Sequence, residues 1–245
     1  GGTNWTEISN DLPTSQVYKI GQSAVSANSI MGGFQDNGVS ATTNGTSFTT
    51  VGGGDGFDCI IDYNNSNFCY RSTNGGVSRS TTGVFGSYLG VSSGISGTPS
   101  FFSAYTLHST DPNTMFFGRY EVWRSNNIRV TPNTSVSWTA ISAFTGTDLI
   151  RVIEQSAANS NMMYMFRGSG TGSVLYRSDN VNASAGSVVW NTISKPSSSF
   201  NVSDIAAYPT NENIVFATAG MQIFKSTNKG ASWTDITGNL PALFI

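Results

Sequence analysis

The sequence predicts an all-β fold, a β-propeller of four-stranded antiparallel blades. Three observations lead there. An aromatic residue followed by hydroxyl residues returns along the chain. The stretches between these phrases each divide into strand-length segments. The composition is that of a turn-rich β protein.

The phrases are NWTEIS at 4, SFTTVG at 47, SWTAIS at 137, VWNTIS at 189 and SWTDIT at 232. Their anchors are Trp5, Phe48, Trp138, Trp190 and Trp233, spaced 43, 90, 52 and 43 residues apart. The long step hides a degenerate copy, SYLGVS at 87–92. A period of ~40–50 residues is that of propeller blades. Of the 245 residues only 11% are charged, while 38% are hydrophobic and 12% aromatic. That is too apolar for disorder and leaves Ser, Thr, Asn and Gly where Lys and Glu usually stand.

Residues 1–13 read as the outer strand of a preceding blade. Five complete blades follow, at 14–53, 54–97, 98–144, 145–197 and 198–245. The first runs QVYKIGQSAVS, IMGGFQDNG and VSATTNGTSF, and the second FDCIID, FCYRST and GVSRSTTG. The third offers FFSAYTLHS, MFFGRY, VWRSNN and SWTAIS, the fourth LIRVIEQS, MMYMFRG, SVLYRSDN and VVWNTIS. The fifth is clearest. VSDIAAYP is an inner strand, and IVFATAG is the continuous apolar run of a strand buried on both faces. MQIFKS follows, then a turn, then SWTDIT.

The turn before the last Trp spells S-x-N-x-G-x-x-W through Ser226, Asn228, Gly230 and Trp233. Ser and Asn side chains hydrogen-bond their own turn backbone, and Gly supplies a positive φ. The Trp then folds under the hairpin against the neighbouring blade. This resembles the Asp-box of the BNR repeat family, S-x-D-x-G-x-x-W, with Asn in place of Asp. Ser125/Asn127 and Ser178/Asn180 open the box in the third and fourth blades, where insertions delay Trp138 and Trp190. The first blade carries a worn copy at Thr43, Gly45 and Phe48, and the second keeps Ser80 and Gly83. QDNG followed by GGDG is similar to secreted BNR-like propellers of Bacteroidetes-type bacteria.

Gly1 and Gly2 look like the end of a box that starts upstream, so the chain is expected to be part of a larger propeller or multi-propeller protein. The competing arrangement closes a ring by placing strand 4–9 in an incomplete sixth blade. Cys59 and Cys69 flank the turn CIIDYNNSNFC. With Asn64 and Asn65 at the turn they oppose each other and allow a cross-strand disulfide; the alternative is two small buried apolar residues.

Loops from second to third strand and from blade to blade open on one face, and Asp-box turns on the other. GGFQDNGVS (32–40) and VGGGDGFD (51–58) fall on the first face, bringing Gln35, Asp36, Asn37 and Asp55 to its mouth. They form either a polar binding site or a set of capped turns. Relatives of the repeat family include sialidases, xyloglucan-cleaving enzymes and sortilin-like receptors, so Asp36 and Asp55 are the candidate carboxylates of a glycosidase. The three-arginine clamp and F/Y-R-I-P motif of sialidases have no counterpart: Arg71, Arg79, Arg119, Arg124, Arg167 and Arg177 fall in middle strands and at their edges. His108, the only histidine, reads as a satisfied strand-end residue. Tyr63, Tyr88 and Tyr120 are candidate stacking aromatics.

A net charge of −2 without a basic stripe argues against nucleic acid, and no apolar run reaches the ~18–20 residues of a membrane span. No metal or cofactor is expected. The expected role is a non-catalytic extracellular or cell-surface module for binding, adhesion or scaffolding, with a polysaccharide or a surface protein as partner. The alternatives are a glycoside hydrolase and a peptide-binding receptor propeller.

Overall fold

A computed structural model describes residues 15–242. It is all-β, with five four-stranded antiparallel sheets and three single-turn 3-10 helices. The first sheet holds β1 (Val17–Gln22), β2 (Ile30–Phe34), β3 (Gly38–Thr42) and β4 (Thr49–Gly52), and the second β5 (Gly56–Ile61), β6 (Cys69–Thr73), β7 (Gly76–Ser80) and β8 (Leu89–Gly90). The third holds β9 (Tyr105–Leu107), β10 (Met115–Gly118), β11 (Val122–Ser125) and β12 (Thr139–Ala140). In the fourth are β13 (Ile150–Gln155), β14 (Met163–Arg167), β15 (Val174–Ser178) and β16 (Asn191–Ile193). The fifth comprises β17 (Val202–Ala207), β18 (Val215–Ala219), β19 (Gln222–Ser226) and β20 (Thr234–Asp235). Each sheet is a simple meander, its strands paired in chain order.

The inner strands β1, β5, β9, β13 and β17 contact one another in succession, so the sheets stand as blades around an axis. The second strands are the most apolar because both of their faces are covered. Met115, Phe116 and Phe117 on β10 and Met163, Tyr164, Met165 and Phe166 on β14 are all buried. Each main apolar cluster joins two neighbouring blades: Met115 and Phe117 meet Tyr70 and Val77, and Phe116 meets Met163 and Met165.

The turn between third and fourth strands repeats with the same bonds. The Asn oxygens of Asn44, Asn127, Asn180 and Asn228 accept the backbone N–H of Ser47, Ser137, Val189 and Ser232 at 2.9–3.0 Å. In the insertion-bearing third and fourth blades the same amides donate to the carbonyls of Ser135 and Ser187. The side chain thus spans the gap whatever the loop length. An aspartate has no proton for that second bond. In the first blade the hydroxyl partner of Asn44 is Thr42, one residue earlier than the worn copy read from sequence, at 2.9 Å. In the second, Ser80 holds Gly83, and Tyr88 takes the aromatic place ahead of β8.

Beyond this turn the anchors bind the preceding blade. The indole N–H groups of Trp138, Trp190 and Trp233 donate to the carbonyls of Val91, Ile141 and Ser194, each just past the preceding outer strand, at 2.7, 3.0 and 2.8 Å. Tyr88 reaches Met31 of the first blade. Trp5 and the expected strand at 4–9 lie outside the described residues.

Two sequence expectations change in the structure. Gly32 and Gly33 belong to β2 rather than to a ligand-facing loop. A Cβ on Gly33 would overlap the Phe57 carbonyl of β5, so this glycine lets two blade backbones approach closely. The register opposes Cys59 to Arg71 and Ile61 to Cys69, because the turn is centred one residue beyond the assumed position. The two cysteines sit diagonally as free, buried thiols.

Replacing Trp138 or Trp190 with Phe keeps a ring but removes its N–H. Each substitution is expected to cost about 1–3 kcal/mol, the range for stranding a carbonyl at a packed seam. Phe48→Leu, at an anchor that is 51% exposed, is expected to cost under about 0.5 kcal/mol. Urea unfolding with an unchanged m-value checks both; equal effects at the three sites would refute the seam role. Burial pushes both thiols up to about 12. The native protein at pH 8 should therefore resist a thiol reagent and show no 2-Da mass change on reduction.

Candidate functional site

The registers fix which chain ends share a face. Val17 pairs with Phe34 and Val39 with Gly52, so the start of β1, the β2–β3 turn and the exit of β4 lie together. The corresponding ends of the other blades lie on the same face. The β1–β2 and box turns lie opposite.

Gln35, Asp36, Asn37 and Asp55 do come together on the first face. Asp36 has φ 58 and donates its N–H to the Asp55 carboxylate at 2.8 Å. Asn37 closes the turn on the Gln35 carbonyl at 3.0 Å. In this arrangement Asp55 caps a tight turn. The Gln35 amide oxygen accepts the Tyr18 hydroxyl at 2.8 Å, which ties the loop to the inner strands.

Beside that loop, the axial cavity measures about 420 Å³. All five inner strands or their leading residues wall it. Its aromatic wall is Tyr18, Phe57, Phe102 and Tyr105; its polar wall includes Lys19, Asp58, Ser103, Arg151, Ser203 and Asp204. A backbone irregularity recurs there. The pairing slips between Val17 and Lys19, Gly56 and Cys59, Ile150 and Val152, and Val202 and Asp204. The residues inside these slips are Tyr18, Phe57 with Asp58, Arg151 and Ser203, and every one of them lines the cavity. A β-bulge releases a residue from the alternation of a strand and re-aims its side chain. Four inner strands use that device at the same end.

At the rim, Phe101 and Phe102 remain 51% and 44% exposed. They pack edge-on against each other at 5.1 Å and against Phe57 at 4.8 and 5.0 Å, with Tyr18 beside Phe102 at 5.0 Å. Edge-to-face packing holds such rings rigid while leaving outer faces free. Lys19 spans to Asp204 at 3.4 Å, the two side chains being about half exposed. The Asp58 carboxylate makes no hydrogen bond among the described residues. Burial raises it from 3.8 to about 6, with Lys19 pulling it down and Asp204 pushing it up. Burial likewise raises Glu154, just outside the cavity wall, to about 7, against the N–H it accepts from Ala207.

The other sequence candidates have structural work. Tyr63 donates to the His108 carbonyl, Tyr88 fills a seam, and Tyr120 donates to Thr98. His108 is buried; its Nδ1 accepts the N–H of Asp111 at 3.0 Å, so the ring is neutral and Nε2–H faces Asn182 Oδ1 at 3.1 Å. The arginines brace neighbouring blades. Arg79 donates to the carbonyls of Ile128 and Val130, Arg124 to those of Val181 and Ala183, and Arg177 to that of Lys229. Arg119 and Arg167 bind linker carbonyls, and Arg71 lies over the Tyr88 ring. Among the described residues there is no group of three or more His, Cys, Asp or Glu side chains that could hold a metal ion. No helix there is long and apolar enough to cross a membrane.

No protein-family model matches the sequence, and no curated protein matches it. Solved structures match the fold. The GH74 enzyme of Niastella koreensis is 17% identical with a TM-score of 0.68, the match covering 89% of this chain and 38% of that one. The GH74 xyloglucanase of Xanthomonas campestris is 13% identical with a TM-score of 0.65, over 85% of this chain and 37% of that one. YCF48 bound to D1 peptide is 13% identical with a TM-score of 0.59, over 93% and 69%. The chain thus spans little more than a third of those two GH74 structures. At these identities the likeness establishes the β-propeller fold and nothing finer.

Asp58 gives a pH signature. Its carboxyl titrates near 4 when unfolded and near 6 when folded, so the fold prefers the protonated form. That contribution is complete below pH ~4 and is lost as pH rises through about 6. Asp58→Asn mimics the protonated group. It should match the wild type below pH 4 and have a higher Tm above pH 6.5; parallel Tm–pH curves would refute the assignment.

Proposed function

We propose that this propeller is a non-catalytic binding module that holds a polysaccharide on the face where the axial cavity opens, outside the cell or at its surface. The carrying observation is the exposed Phe101–Phe102 pair at the mouth of a cavity walled by both aromatic and polar groups. Sugars present flat C–H faces with hydroxyls around the edge. An aromatic surface beside a mixed set of donors and acceptors complements both features. Tyr18 couples the rim to the Gln35–Asn37 loop, so Gln35, Asp36, Asn37 and Asp55 supply further polar contacts to a chain lying across the face. The rigid blade ends favour binding by leaving little ordering for the ligand to impose. The low proportion of charged residues, 11%, agrees with a neutral ligand.

The GH74 neighbours make a hydrolase the comparison to exclude. That reading needs Asp36 and Asp55 as acid and base, yet Asp55 is engaged by the Asp36 N–H. The test is affinity electrophoresis against a polysaccharide panel that includes xyloglucan, with reducing-sugar release measured in parallel. Retardation by at least one polymer is expected, without release. The double variant Phe101→Ala/Phe102→Ala should weaken it at least tenfold, about 1.4 kcal/mol. Release abolished by Asp36→Asn or Asp55→Asn would establish the hydrolase instead. Retention of peptides alone would favour a receptor.

A further inference from the structure

We propose that the axial cavity is an end-on subsite that takes one terminal or branch sugar residue, with vicinal hydroxyls donating to the Asp58 carboxylate and a further one meeting the Ser103 hydroxyl. The inference rests on the polysaccharide reading of the same face and adds how the polymer is held.

The wall draws on all five inner strands or their leading residues, so an end or a side branch entering from the open face fits it better than a chain lying across it. A volume of about 420 Å³ falls within the ~300–1,000 Å³ of small-molecule sites. The rings of Tyr18, Phe57, Phe102 and Tyr105 supply a surface for the C–H face.

The polar wall has valences left open. Asp58 lines the cavity, and its carboxylate accepts no hydrogen bond among the described residues. Ser103 lines the same cavity and is 1% exposed, and its hydroxyl has no partner among the described residues. A buried hydroxyl without a partner, as at Ser103, costs stability unless something else satisfies it, while the half-buried Asp58 carboxylate is open to a donor from the cavity. The bulges point the same way, since they withdraw Tyr18, Phe57, Asp58, Arg151 and Ser203 from strand alternation at the point where the cavity lies.

Charge decides the ligand class. Two carboxylates, Asp58 and Asp204, are balanced by two cations, Lys19 and Arg151. Glu154, outside the wall, is engaged by Ala207 N–H. A wall with no net charge but with both donors and acceptors suits a neutral polyol better than an ammonium group or an anion. The unshared lone pairs of Asp58 fit two adjacent hydroxyl donors. Lys19 and Asn201 stand at the rim for hydroxyl or ring oxygens.

The test uses the full chain with free glucose, galactose, mannose and xylose as probes, read by saturation-transfer NMR and by competition with the retained polymer. At least one monosaccharide should bind and displace the polymer. Asp58→Asn should weaken that sugar at least tenfold, and Ser103→Ala about three- to tenfold. If the polymer binds and Phe102→Ala releases it, while neither Asp58→Asn nor Ser103→Ala alters any sugar, the subsite is overturned and the polysaccharide reading stands. If no polymer and no sugar binds, both fall. Binding of n-butylammonium in preference to every sugar overturns the polyol assignment.

Discussion

The fold depends on how one blade is fixed to the one before it. A four-stranded sheet has two faces to cover, and in this protein the facing surfaces of consecutive blades from the first to the fifth cover one another. Apolar burial supplies most of the attraction but little direction. Direction comes from the indole N–H of Trp138, Trp190 and Trp233, each set on a single carbonyl of the preceding blade. That donor reaches its acceptor only if the turn carrying the ring is held in place. The Asn of each box does this by bonding across the turn, and the arginine next to the box serine then reaches forward into the following blade. Arg79, Arg124 and Arg177 therefore work in the opposite direction to the tryptophans, and the three seams from the second blade to the fifth are tied from both sides.

This explains why the architecture could be read from sequence. Trp and Ser-x-Asn recur because every seam demands the same geometry, and a repeated demand leaves a repeated pattern. What depends on exact register was less legible. The first box begins at Thr42 and not Thr43, because the turn there is one residue shorter before its glycine. The cysteines missed each other for the same reason: a turn centred one residue further on converts opposite neighbours into diagonal ones. The glycines of β2 looked like loop residues because the sequence gives no sign that β5 passes against them.

The site divides in the same way. Gln35, Asp36, Asn37 and Asp55 were found because they are close in sequence and the meander returns its turns to one face. Tyr18, Lys19, Asp58, Ser103, Arg151 and Asp204 become neighbours only when the ring forms, and no local pattern joins them. One signal was present. In four inner strands the second residue is polar or aromatic, as in VYK, GFD, IRV and VSD, and the pairing slips there. Bulges cluster where a protein aims side chains at a site. Phe101 and Phe102 were similarly visible as adjacent aromatics ahead of a strand, with no partner pattern to bury both.

The side where the fifth and first blades face each other differs from the other seams. Ile236 follows its outer strand as Ile141 does, and both make the same backbone bond to the third strand. Ile141 is 1% exposed and Ile236 44%. Phe48, the anchor of the first blade, donates no indole bond and is half exposed. Among the described residues that seam is joined by the Lys19–Asp204 pair, and exposed ion pairs contribute only about 0–1 kcal/mol. Where no indole bond is made on this side, Ile236 and Phe48 stay exposed. The Lys19–Asp204 pair also stands on the cavity wall. One side of the axial site is therefore held by an exposed ion pair, while the others are held by packed blades.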